Sequence, residues 1–137
     1  MALTSNISQS MKLTLNKQER LKSRKLIDEL FAKGSAIDAY PIKLVFKEIT
    51  LEQSPESPVK FGVTVSKRRF KRAVDRNLIK RRLREAFRVN KENIYTQLAA
   101  KDKHVAMMAI YIASEILDYQ KIEPAMIKLQ RQLANLF

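Results

Sequence analysis

The run HVAMMAIYIA, residues 104–113, is apolar at nearly every position, too short to span a bilayer and without the alternation of a strand that has one wet face. It predicts a strand buried on both faces. IKLVFKEIT (42–50) and VKFGVTVS (59–66) also read as strands, and TLEQSPESP between them, with Pro55 and Pro58, reads as a hairpin loop or a longer surface loop. In SRKLIDELFAKG, Ser23 can cap, and Leu26, Ile27, Leu30 and Phe31 repeat at helical spacing before Gly34 ends the turn. A helix over about 24–33 follows. A last helix is predicted over about 123–136, with Pro124 near its first position and Ile122, Met126, Leu129, Leu133 and Leu136 on one side. Residues 1–16 have no strong period and read as a loose extension, which leaves 17–137 as a single domain without internal repeats.

The segment joining the second and third predicted strands is FKRAVDRNLIKRRLREAFR, residues 70–88. It predicts the crossover helix of an α/β (α+β) sandwich, helices packed on a small mixed sheet in the order αββαβα. At about 100° per residue, Arg76, Asn77, Lys80, Arg81, Arg84 and Arg88 share one arc, while Ile79, Leu83 and Ala86 fall opposite, with Leu78 and Phe87 at the borders. The arc is almost free of acids. Residues 60–88 hold 12 of the 27 Lys and Arg but only two of the 14 Asp and Glu, so this stretch supplies +10 of the net +13. A solvated helix face normally mixes signs for i to i+4 pairing, and this one has little to pair with. It calls for a polyanion, nucleic acid before an anionic membrane surface.

With no cysteine the chain has neither a disulfide framework nor thiolate chemistry; the N-terminal segment lacks an apolar run long enough for a signal peptide, and no later stretch approaches a membrane span. A soluble cytoplasmic protein is expected, with no membrane partner. His104 is the only histidine and lacks ligand partners, so no metal site is expected. Asp75 reads as a helix cap in preference to a contact to a shared metal ion, Met107 and Met108 read as core, and no nucleophile stands with a base. Helix-turn-helix geometry is not evident, and a sign-pure basic helix reads backbone more readily than bases, so DNA is not the expected partner.

FGVTVSKRRFKRAVDRNLIKRRLREAFR resembles the bacterial ribonuclease P protein subunit: a strand ending in V-S-K, a short loop, then the R-N-x-x-K-R-x-x-R-E core, here Arg76, Asn77, Lys80, Arg81, Arg84 and Glu85. The resemblance implies a ribosomal-protein-like sandwich with a left-handed βαβ crossover, whereas pattern alone favours the common right-handed connection. It also implies a role. The protein would assist a catalytic RNA that removes the 5′ leader of precursor tRNA, the RNA and its magnesium ions performing the hydrolysis, so that the protein holds no cofactor and no catalytic residue of its own.

Lys67, Arg68, Arg72, Arg76, Asn77, Lys80, Arg81, Arg84 and Arg88 would face the catalytic RNA. Phe31, Phe46 and Lys43 would line a cleft between the first helix and the sheet that takes the leader. Stacking on aromatic rings tolerates any base, which suits such a cleft. The residues alone leave a second reading of Phe31 and Phe46, as core. Ile27 stands where many members have another aromatic, and the loop SKRRFKRA lacks their glycine. The alternative function is a ribosomal or RNA-chaperone protein that binds structured RNA without taking part in a reaction.

Overall fold

The computed structural model describes residue 15 and residues 17–137. The predicted loose extension, 1–16, lies outside the described residues except for Leu15. The elements run α1 (Arg24–Lys33), β1 (Ser35–Ala39), β2 (Ile42–Ile49), β3 (Val59–Val65), α2 (Ala73–Asn90), α3 (Glu92–Ala100), β4 (His104–Tyr111) and α4 (Tyr119–Leu136). The four strands form one mixed sheet in the order β1-β2-β4-β3. β2 meets β4 antiparallel, from Ile42 opposite Tyr111 to Ile49 opposite His104, and β3 meets β4 in parallel. β2 and β3 are therefore not a hairpin. β4 lies between them, and the loop over 50–58 crosses from one to the other.

The double burial of β4 is realised. Val105, Met107, Ala109 and Tyr111 face a core shared with α2, α3 and α4, whereas Ala106 and Met108 face Leu21 and the α1 residues Leu26 and Leu30. Ser23 caps α1 through its Oγ, which accepts from the Leu26 amide at 3.2 Å. α1 ends at Gly34, whose backbone is extended, and only glycine fits there because a Cβ would lie 2.4 Å from the Leu30 carbonyl and 3.0 Å from that of Phe46. α2 docks through Ile79, Leu83, Ala86 and Phe87, and the Phe87 ring stacks on Phe61 of β3 at 3.9 Å between centroids. Burying each large side chain contributes roughly 1.5–3 kcal/mol.

Two elements were not expected from sequence, the edge strand β1 and the short helix α3. α4 also starts earlier than predicted, at Tyr119, which places Pro124 inside the helix. Asp118 precedes that first turn, and its carbonyl accepts from the Lys121 and Ile122 amides. Asp75 is not a cap. It lies in the first turn of α2, 3.7 Å from Arg72, the residue at the cap position.

The free side of β3 is covered by the strap 17–21, in which the Leu21 amide donates to the Phe61 carbonyl at 2.9 Å and the Phe61 amide to the Glu19 carbonyl at 2.7 Å. This bridge blunts the edge at Phe61, mid-strand, where another chain would otherwise pair. The strap is anchored by a buried ion pair: Lys91, fully buried at the α2–α3 junction, donates to Glu19 Oε2 at 2.5 Å. The Tyr95 hydroxyl donates to the same oxygen, and burial first, then Glu19, pushes that phenol far up. Among the described residues no helix is long and apolar enough to cross a membrane.

Candidate nucleic-acid interface

The polar arc of α2 lies as the helical spacing predicts, with Ile79 and Leu83 fully buried and Asn77, Arg81 and Arg84 exposed. Lys67 and Arg68 extend it from the exposed loop between β3 and α2. The eight cations among the nine predicted side chains nevertheless fall into two groups. Arg76 turns back to the loop, its Nη1 donating to the carbonyls of Phe70 at 2.8 Å and Lys71 at 2.9 Å. Arg88 grips Glu85 through two bonds, of 2.9 and 2.7 Å. That bond holds the Glu85 carboxyl below and the Arg88 guanidinium above their usual ranges. Arg72 has a loose pairing with Asp75. Lys67, Arg68, Lys80, Arg81 and Arg84 pair with no carboxylate among the described residues. Two further arginines of the basic stretch serve the fold, Arg69 donating to the Ile112 carbonyl and Arg82 to that of Leu117 at 2.6 Å.

On the opposite face of the sheet, α1 covers β2 and β4 only in part and leaves a groove beside β3. Phe31 is 51% exposed and stands one helical turn beyond Ile27, which lines the groove. Lys43 is exposed on this face of β2. Phe46 is not on it. Alternation along β2 sends Ile42, Leu44 and Phe46 into the other core, where Phe46 is 7% exposed and meets Phe137 edge to face at 6.1 Å. Lys43 and Phe46 have opposite parity and cannot share a face. The groove side at that point is Val45, opposite Met108 of β4, which in turn is opposite Gly62 of β3.

Where the groove meets the strap it deepens to a notch of about 270 Å³, with Arg20, Lys22 and Arg84 among its walls and Ile27, Gly62 and Met108 at its base. Arg84 thus borders both the α2 face and the groove. Partial burial, and then the Arg20 guanidinium, push Arg84 below the usual arginine range. Sequence patterning did not point to Arg20, Lys22, Val45 or Met108 as parts of a site. Strand parity alone could have indicated Val45, because Ile42, Leu44 and Phe46 of the other parity are large and apolar.

A cationic helix face on one side of a small mixed sheet and a cation-rimmed groove on the other define an α/β protein with two polyanion-compatible surfaces. The family model described as Ribonuclease P matches residues 15–133. The chain belongs to the ribonuclease P protein family. The "Ribonuclease P protein component" of Porphyromonas gingivalis is 34% identical over 114 residues, covering 83% of this chain and 82% of the relative. The protein of the same name from Chlorobaculum tepidum is 30% identical over 135 residues, covering 95% and 87%. Among solved structures, the RNase P protein of Staphylococcus aureus aligns at a TM-score of 0.65 with 21% identity, over 87% of this chain and 97% of that one. That of Thermotoga maritima aligns at 0.65 with 23% identity, over 83% and 96%. At such identities the structural likeness speaks to the fold.

Proposed function

We propose that this chain is the protein component of a ribonuclease P in which α2 lies against the catalytic RNA and the groove beside α1 receives the 5′ leader of precursor tRNA. The observation that carries the reading is the group Lys67, Arg68, Lys80, Arg81 and Arg84, gathered on one loop and helix face without a carboxylate to neutralise them. Such a face attracts phosphate backbone without regard to sequence, and planar guanidiniums fit paired phosphate oxygens. The groove supplies Phe31 for stacking and Lys43 for the backbone.

The protein's part is to bind and orient. The chemistry belongs to the RNA subunit and the magnesium ions it binds, and the chain acts by holding the leader while the tRNA body rests on the RNA. Membership of the family, together with the location of unpaired charge, supports this assignment over an RNA chaperone.

Reconstitution with ribonuclease P RNA tests it. At low magnesium the protein should stimulate 5′ cleavage of precursor tRNA, and Lys80→Ala with Arg81→Ala should remove most of the stimulation. A protein that binds structured RNA broadly yet leaves cleavage unchanged would contradict the assignment.

A further inference from the structure

We infer that Glu85 sets how many cations α2 offers to RNA: it holds Arg88 as an internal counterion and so limits the affinity of this face for RNA of arbitrary sequence. This rests on the RNA-binding reading above and adds to it a residue that governs selectivity. Residues 60–88 contain two acids, Asp75 and Glu85, each paired i to i+3 with an arginine at one end of α2. The two pairs are unlike. Arg72 lies a loose 3.7 Å from Asp75, whereas Arg88 Nε donates to Glu85 Oε1 at 2.9 Å and Nη2 to Oε2 at 2.7 Å. The second is the fork-to-fork arrangement in which a guanidinium also takes two oxygens of a phosphate. While Glu85 fills that edge of Arg88, a phosphate reaches it only by displacing a carboxylate.

Helix spacing alone does not choose this partner. Arg81, four residues before Glu85, is within reach of the same carboxylate, yet both oxygens go to Arg88 and Arg81 pairs with no carboxylate among the described residues. Exposed ion pairs hold little unless their geometry is bidentate, as here, and the Arg88 side chain is 25% exposed, so less freedom is lost in fixing it. Nor does the docking of α2 need the pair, because Ile79, Leu83, Ala86 and Phe87 fasten the helix to the core. Its effect falls on the number of open cations.

Selectivity follows from that number. A flexible single strand can always bring a phosphate to one more guanidinium, whereas a folded RNA presents its phosphates at fixed places. One extra open cation therefore favours arbitrary RNA over a matched one.

The test measures the affinity of the whole protein for poly(U) and for ribonuclease P RNA across a salt series, with a melting curve for each variant. Glu85→Gln should steepen the log–log slope for poly(U) by roughly 0.7, one further phosphate on a single strand, and strengthen binding about three- to tenfold near ~0.1 M salt. Its affinity for ribonuclease P RNA should change less than about twofold. Adding Arg88→Ala to Glu85→Gln should return the poly(U) slope and affinity to those of the unaltered chain, and Glu85→Asp, which keeps the charge, should stay near them. If Glu85→Gln does not fold, Glu85→Ala decides.

A poly(U) slope that Glu85→Gln leaves unmoved would overturn the inference, because Arg88 would then gain no phosphate on release. A double variant that binds with a shallower slope than the unaltered chain would overturn it too, since Arg88 would already serve RNA with Glu85 in place. Equal gains for both RNAs would overturn the role in selectivity. A chain that fails to stimulate precursor cleavage would instead sink the proposed function, and the salt slopes would still judge Glu85.

Discussion

Phe31 and Phe46 should respond in opposite ways to truncation. Phe46 is 7% exposed, in the core shared with α4 and against Phe137, so Phe46→Ala removes nearly a whole ring from a packed interior. Such losses cost ~3–5 kcal/mol. For a domain of this size that is a fall in melting temperature of roughly 10–20 °C, with every activity depressed together. Phe31 is 51% exposed, and its removal should lower the melting temperature by no more than a few degrees. If its ring stacks on a leader base, Phe31→Ala should cost ~1–3 kcal/mol in precursor affinity, roughly five- to a hundredfold, with mature tRNA affinity unchanged. Affinities of the reconstituted enzyme for both tRNAs, measured beside thermal melts of each variant, separate these outcomes. A Phe46→Ala protein that melts like the unaltered chain would refute the face assignment of β2. Equal loss for precursor and mature tRNA in Phe31→Ala would refute the leader groove.

Affinity for the catalytic RNA should fall with salt on a log–log slope of roughly −4 if the five unpaired cations of the loop and α2 each meet a phosphate; a flat titration would remove the electrostatic reading. Arg81→Ala should weaken RNA binding at an unchanged melting temperature, whereas Arg76→Ala should also cost ~1–3 kcal/mol of stability, because its guanidinium holds the Phe70 and Lys71 carbonyls. Equal melting temperatures for these two variants would mean that the loop does not depend on Arg76. Burial, and then Glu123, push the Tyr119 phenol up to about 12. The folded chain keeps this proton after the unfolded chain has lost it, so the associated stability is full below about pH 10 and is lost as the pH rises towards 12. Tyr119→Phe should make that alkaline loss shallower in denaturant titrations across the window, and an unaltered pH profile would count against the assignment.

The parts of the fold legible in the sequence are those in which local chemistry and burial agree. Ser23 and Gly34 bracket α1 because a hydroxyl cap and a close approach both act within one turn. The basic arc of α2 was legible because sign-pure charge and buried Ile79, Leu83 and Ala86 obey the same period. β1 was hidden because SAIDA is an edge strand with mostly exposed side chains, so no burial pattern marks it. α3 carries the periodic trio Ile94, Tyr95 and Leu98, but it is short and follows α2 after Lys91 alone. The misassignment of Phe46 has a simple cause. Aromatic character says that a ring could stack, and only strand parity says on which side of the sheet it stands. The notch was out of reach for another reason, since the proximity of Arg20 and Arg84 is set by the strap along β3.

The strand order β1-β2-β4-β3 also has a meaning in time. Synthesis delivers α1, the β1–β2 hairpin, β3 and both middle helices before the residues of β4 exist. Until then β3 has no strand beside it, and β2 presents to solvent the edge that β4 will occupy. The sheet thus closes only when β4, the last strand to be made, pairs with both β2 and β3. The surfaces proposed to face RNA are accordingly completed late, once HVAMMAIYIA, which bears Met108 of the groove, has joined the two sides of the sheet.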